Sequence, residues 1–191
     1  MVDALEVAVL VARALETAGV PYFLGGSVAS SLQGEPRSTN DIDFVIDLRA
    51  NQIQRLVQAL GTDSEVDEES LAEEVGRRGS WNIFFLPLAM KIGLFIKKLS
   101  PYDQAEFSRR RSFDLGDGKS LQVKSPEDTV VRKLLWFRQG GEVSTSQWRD
   151  IVQVLRMSGA SLDDAYLQEW AMTLRLTDLL VRAREEAARL A

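Results

Sequence analysis

Two aspartates at alternate positions, Asp41 and Asp43, follow the sequence Gly25-Gly26-Ser27 after an interval of thirteen residues. Residues i and i+2 of a β-strand project from the same face, so the spacing predicts two adjacent carboxylates with Ile42 directed into the core. Adjacent carboxylates repel each other unless a cation lies between them. The chain has no His and no Cys, so that cation would be one that prefers oxygen ligands, Mg²⁺ or Mn²⁺.

The glycine sequence that precedes the aspartates suits a phosphate group. Glycines let phosphate oxygens approach the backbone closely, and the N–H groups at the start of a helix favour anions. Ser27 is the predicted N-cap of a short helix over residues 28–33. Either motif alone is common in turns and solvated strands. In this order and spacing they indicate phosphoryl or nucleotidyl transfer.

The elements that must position these residues form an α/β segment. A short apolar strand over 22–24 leads into the glycines, and an alternating strand over 41–47 carries the aspartates. Other predicted elements are an N-terminal helix ending at Gly19, a helix from Asn51 to Gly61, antiparallel strands over 81–86 and 90–96, and a hairpin over 112–115 and 120–123. Residues 63–74 are acidic and are interpreted as a solvated connector and helix face.

The pattern becomes helical after Ser125, which is a predicted N-cap with Pro126 at the first helical position. The predicted helices cover 126–138, 145–157, 163–173 and 176–189. The fold class is therefore predicted as α/β (α+β): a mixed β-sheet flanked by helices, with a C-terminal helical segment. The domain prediction is a core over 1–125 and a helical segment over 126–191 that packs on it.

Composition excludes several classes of protein. With 191 residues, 45% hydrophobic and 27% charged, the chain has the composition of an ordinary globular domain. The lack of His and Cys excludes Ser-His-Asp triads, Cys nucleophiles, disulfides and His or thiolate metal sites. No apolar run reaches the ~20 residues of a membrane helix and the N-terminus lacks a basic signal-peptide start, so a cytoplasmic protein without a membrane partner is expected.

Residues 25–43 resemble the nucleotidyltransferase superfamily that includes DNA polymerase β. Its signature of a Gly-Gly/Ser turn, a short helix and an Asp-x-Asp strand is matched by Gly26-Ser27 and Asp41-Ile42-Asp43. The longer string, Gly25–Ser30 followed by Gly34–Asp43, is similar to the small prokaryotic branch of AbiEii-like and other minimal nucleotidyltransferases. Ser125-Pro126-Glu127-Asp128 followed by Lys133-Leu134 is similar to that branch as well.

The resemblance implies a role for each matched residue. Asp41 and Asp43 would hold the metal ions, and Gly25, Gly26 and Ser27 would contact the triphosphate. Three further residues are candidates for positioning phosphate or the loop of the site: Arg37, Thr39 and Lys133. The alternative is that Arg37 and Thr39 are surface polar residues and that Lys133 is a lysine on a helix face.

One position departs from the family pattern. The family carries a third carboxylate on a neighbouring strand, which is thought to bind the catalytic metal and to help deprotonate the attacking hydroxyl. Gly93 stands at that position in Lys91-Ile92-Gly93-Leu94-Phe95, and glycine can do neither. The candidates for a substitute carboxylate are Asp47, Asp103 and Glu106.

The resemblance implies transfer of NMP from an NTP to an acceptor hydroxyl, with Mg²⁺ or Mn²⁺ as the cofactor. The acceptor is left open among a small molecule, an RNA end and a protein hydroxyl. Because of Gly93, the alternative is a catalytically inactive nucleotide-binding or interaction module. It would serve as a sensor or as a toxin–antitoxin-like partner of another protein.

Overall fold

The structure, a computed structural model, describes residues 4–62, 64–88 and 90–190. The chain divides into two compact units. The first unit comprises Met1–Val28 and Ser38–Lys124, and the second comprises Ala29–Arg37 and Ser125–Ala191. The stretch 29–37 thus groups with the C-terminal residues, although it lies between the two predicted motifs in sequence.

A mixed, seven-stranded sheet forms the framework of the first unit. Its strands are β1 (Tyr22–Leu24), β2 (Asp41–Ile46), β3 (Ser64–Glu65), β4 (Ser80–Phe85), β5 (Met90–Ile96), β6 (Arg111–Gly116) and β7 (Lys119–Val123), in the spatial order β3-β4-β5-β2-β1-β7-β6. The pairs β2–β5 and β1–β7 are parallel, and the other neighbours are antiparallel. The predicted mixed sheet is confirmed.

Strand β2 lies in the middle of the sheet, and one of its faces is strongly apolar. Ile42, Phe44 and Ile46 are fully buried, whereas Asp41 is exposed and Asp43 is half-buried. The alternation read from the sequence therefore fixes which face of the sheet carries the carboxylates. We call that side of the sheet the acidic face, defined by the side chains of Asp41 and Asp43.

The helices are α1 (Ala4–Thr17), α2 (Gly26–Gln33), α3 (Ile53–Leu60), α4 (Glu68–Arg77), α5 (Pro101–Ser108), α6 (Pro126–Gln139), α7 (Thr145–Ser158), α8 (Asp164–Thr173) and α9 (Thr177–Arg189). The predicted C-terminal helices are confirmed, and Ser125 caps α6 by accepting a hydrogen bond from the backbone N–H of Asp128. Within the described residues, no helix combines the length and apolar character needed to cross a membrane.

Three local features differ from the predictions. The acidic stretch contains β3 and most of α4. Asp67 caps the N-terminus of α4 by accepting hydrogen bonds from two backbone N–H groups. Residue 63 lies outside the described residues. Helix α5 was not predicted, although Ser100 caps it and Pro101 occupies its first position. The helix after the glycines begins at Gly26, so Ser27 lies in its first turn and is not the N-cap.

Candidate functional site

The carboxylate of Asp43 lies directly over Gly26. The backbone N–H of Gly25 donates to the carbonyl of Asp43 at 2.8 Å, which holds the end of β1 against β2. Gly26 has φ +58°, and a Cβ atom there would overlap the Oδ2 atom of Asp43. Glycine is required here both because the backbone is left-handed and because the Asp43 carboxylate leaves no room for a Cβ atom. The predicted glycine turn and the second predicted aspartate are therefore in contact.

Asp41 lies two residues before Asp43 on β2, and its exposed side chain belongs to the same face of the strand. Thr39 fixes the start of this strand: its Oγ1 donates to the carbonyl of Asp41 at 3.1 Å and accepts from the backbone N–H of Asp41 at 3.3 Å. Thr39 thus has a structural contact that places Asp41. Its predicted role toward phosphate stays a prediction.

Gly93 lies opposite Asp43 on the neighbouring parallel strand β5. A Cβ atom at Gly93 would lie 3.0 Å from the Oδ1 atom of Asp43 and 2.9 Å from a ring carbon of Phe95. Gly93 does not have a left-handed backbone, so the strand does not require glycine there. The position at which the resemblance leads us to expect a third carboxylate is thus adjacent to Asp43, and the edge of the Phe95 ring covers it.

A buried ion pair supports the glycine turn from within the first unit. The Nζ atom of Lys124 lies 3.1 Å from the Oε1 atom of Glu106, and both side chains are 4% exposed. The Lys124 side chain passes beneath Gly25, with its Cε atom 3.2 Å from where a Cβ of Gly25 would be. Removing two charges from water is costly. We therefore interpret the Lys124–Glu106 pair as positioning the glycine turn. The sequence analysis did not identify Lys124.

The three candidate substitutes for the third carboxylate all have local partners. Glu106 is bound to Lys124, Asp47 lies 3.3 Å from the Nζ atom of Lys97, and Asp103 accepts from the Ser100 hydroxyl at the start of α5. Each of these carboxylates therefore has a polar partner away from the acidic face's aspartates.

Arg37 and Lys133 meet in the second unit, on a carboxylate that the sequence analysis did not single out. Asp150 accepts from Arg37 Nε at 3.1 Å and from Lys133 Nζ at 2.8 Å, and Ser30 donates to it at 3.1 Å. Burial alone would raise the pKa of Asp150, but the hydrogen bonds and charges of Arg37 and Lys133 outweigh burial and hold this pKa below its ordinary value. The sequence signal was weak because 113 residues separate Arg37 from Asp150.

Replacement of Asp150 by asparagine is expected to destabilise the protein by about 3 kcal/mol, because Lys133 would remain buried without its counter-charge. Since folding lowers this pKa, the contribution of Asp150 is fully present above its unfolded pKa of about 3.9 and is lost as the pH falls through the folded value. Denaturant unfolding at pH 7 and pH 3 should therefore show a gap between the parent and Asp150→Asn that narrows in acid. The matched control is Glu35→Gln: Glu35 pairs with the more exposed Arg149, and its loss should cost far less than the loss of Asp150 because exposed ion pairs contribute little. Equal costs for the two variants would contradict a special role of Asp150.

The side chains of the acidic face fit a hard divalent cation. Asp41 and Asp43 supply carboxylate oxygens from one face of β2, and the lack of side chains at Gly26 and Gly93 leaves the Asp43 carboxylate bordered by backbone. No cluster of three or more potential metal-ligating side chains occurs among the described residues. Mg²⁺ characteristically uses one or two carboxylates and completes its coordination with water and substrate phosphates, so two aspartates suffice as a protein donor set.

Comparison with solved structures shows which fold this is. The chain is similar to an antigenic nucleotidyltransferase-like protein from Paracoccidioides brasiliensis, with a TM-score of 0.56 and 20% identity over 94% of this chain and 91% of the other. It is also similar to the antibiotic-resistance factor ANT(2'')-Ia, with a TM-score of 0.56 and 14% identity over 96% of this chain and 98% of the other. No protein-family model matches the sequence, and no curated protein matches it. The chain therefore has a nucleotidyltransferase-like fold.

Proposed function

We propose that this protein binds a nucleoside triphosphate with Mg²⁺ or Mn²⁺ and transfers its nucleotidyl group to an acceptor hydroxyl. The observation that carries the proposal is the contact between Asp43 and Gly26, which brings a carboxylate suited to a divalent cation next to a glycine turn at the start of a helix. The fold supports it, since a solved protein with a similar fold is described as nucleotidyltransferase-like. Assignment to the AbiEii-like branch rests on the sequence motifs.

Each residue of the site has a role in this proposal. The backbone N–H groups at the start of α2, at Gly26 and Ser27, would bind the triphosphate. Asp41 and Asp43 would hold the cation, which when bound neutralises phosphate charge and polarises the phosphoryl group. The acceptor hydroxyl would attack the α-phosphorus in line with the departing pyrophosphate. The protein contributes positioning and electrostatic stabilisation rather than a covalent intermediate.

Calorimetric titration with ATP, in Mg²⁺ and in excess EDTA, tests the binding step. We expect saturable binding in Mg²⁺ and at least tenfold weaker binding in EDTA, because the carboxylates of Asp41 and Asp43 repel phosphate unless a cation neutralises them. Binding of ATP that is equally tight with and without a divalent cation would contradict the proposal.

Gly93 favours a second candidate function, a nucleotide-binding module without turnover. No side chain extends from Gly93 toward Asp43, and the Phe95 ring covers the position. Such a module would act as a sensor or as one member of a toxin–antitoxin-like pair. Pyrophosphate release from labelled NTPs with mixed acceptors distinguishes the two, because both candidates bind Mg·NTP and the enzyme alone releases pyrophosphate.

A further inference from the structure

Two exposed phenylalanines lie on the acidic face beside the aspartates. Strand register places Asp43, Gly93 and Asn82 in one row across β2, β5 and β4. The row before it contains Asp41, Lys91 and Phe84, and the row after it contains Val45, Phe95 and Ser80. Residues paired across a sheet project from the same face. Phe84 is 49% and Phe95 42% exposed, a high exposure for two large apolar rings on one sheet face.

The strand order puts these rings on the side from which an acceptor would approach. Strand β2 has β1, with the glycine turn, on one side, and β5 followed by β4 on the other. In-line displacement requires the attacking and departing oxygens on opposite sides of the phosphorus. If the glycine turn holds the phosphates that leave, the hydroxyl comes from the side of β5. With strands about 4.8 Å apart, Phe84 is about two strand spacings from Asp41, within the length of one nucleotide.

The chemistry of this surface suits a nucleotide. An exposed phenyl ring offers a face on which a base can stack, irrespective of sequence. Asn82 is exposed between the two aromatic rows, and its amide can donate to and accept from a base edge. Lys91, exposed beside Phe84, supplies a positive charge for a phosphate. A small polyol has no aromatic base to stack on either ring.

We propose that Phe84, Phe95, Asn82 and Lys91 form an acceptor subsite, which we call the aromatic subsite, and that the acceptor is a nucleotide whose base stacks on these rings and whose sugar carries the attacked hydroxyl. The inference rests on the proposed function. The nucleotide can be free or can be the 3′ end of RNA, and the stacking chemistry is the same for both.

The test uses the full chain saturated with Mg²⁺ and a non-hydrolysable ATP analogue, so that the triphosphate site is filled. Three probes are compared: 5′-AMP, a hexa-adenylate RNA, and an abasic hexamer with the same sugar-phosphate backbone. We expect AMP or the RNA to bind, and the abasic hexamer to bind at least tenfold more weakly. Phe84→Leu and Phe95→Leu should each weaken binding about tenfold, within the range for loss of one base–aromatic stack. Leu10→Ala, at a similarly exposed residue on α1, should change nothing.

Every outcome decides the proposal. Binding of AMP indicates a free nucleotide, and binding of the RNA without AMP indicates an RNA end; both support the aromatic subsite. Equal binding of the abasic hexamer, parent-like binding by both phenylalanine variants, or no binding of AMP and RNA would overturn it. The abasic comparison needs no variant, so it stands even if a substitution disturbs folding. Binding of the ATP analogue, measured first on the same sample, separates failure of this inference from failure of the proposed function.

Discussion

Replacing Asp41 and Asp43 together by asparagine is expected to abolish Mg²⁺-dependent nucleotide binding, with a loss of at least 100-fold, while the thermal unfolding midpoint stays the same or rises. Asparagine keeps the size of both side chains but removes the negative charges that attract a cation. The two carboxylates project from the same face of β2, and their mutual repulsion is removed by the same change. Loss of binding without loss of stability is typical of residues selected for function.

The matched control for this double variant is Glu69→Gln with Glu73→Gln. These two exposed carboxylates lie one turn apart on α4, so the control also removes two neighbouring negative charges and changes the net charge equally. It should leave Mg·ATP binding intact. If Asp41→Asn with Asp43→Asn binds Mg·ATP as tightly as the parent in calorimetry, the metal assignment is wrong. Severe unfolding of that variant would indicate a structural role instead.

Local sequence was sufficient to predict the core of the site because its parts are adjacent along the chain. Strand alternation over residues 41–47 places both aspartates on one face, and a single connection links that strand to the glycine turn. Register with β5 then follows from the buried aliphatic residues of both strands: Ile42 pairs with Ile92 and Phe44 with Leu94. Shifting either strand by one residue would bury its polar face. The sequence analysis identified Gly93 from the family resemblance alone, and this register places it opposite Asp43.

The parts that the sequence did not predict depend on contacts between distant residues. Lys124 lies next to Gly25, which is far away in the sequence, because β7 pairs with β1 in parallel. Asp150 forms ion pairs with Arg37 and Lys133, which come from separate segments of the second unit. In sequence, each of these is an unremarkable charged residue on a helix or at a strand end. Periodicity says which face a residue occupies, but it does not say which partner lies there.

Gly93→Asp is expected to raise nucleotidyl transfer by about 10²–10⁴, the usual contribution of a positioned general base. The new Cβ atom would lie 3.0 Å from the Oδ1 atom of Asp43, so the added carboxylate would join the acidic face beside the existing pair. There it could accept the proton of an attacking hydroxyl. The Phe95 ring must move, since one of its carbons would be 2.9 Å from that Cβ. This costs little because the carbon is at the far end of a partly exposed side chain.

The controls for Gly93→Asp separate sterics from chemistry. Gly93→Ala adds the same Cβ atom and displaces the same ring, and Gly93→Asn adds an isosteric amide that is not a base. Neither control should release pyrophosphate faster than the parent in Mg²⁺ or in Mn²⁺, whereas Gly93→Asp should. Without a divalent cation, Gly93→Asp should unfold at a lower temperature than Gly93→Asn, because a third carboxylate beside Asp43 adds repulsion, and adding Mg²⁺ should reverse this order.

A parent already as fast as Gly93→Asp would show that another residue serves as the base, and the inactive-module function would be excluded. If Gly93→Asp gains the Mg²⁺-dependent stability but releases no pyrophosphate with nucleotide acceptors, the cation site stands and the nucleotide-binding module becomes the better account of the protein.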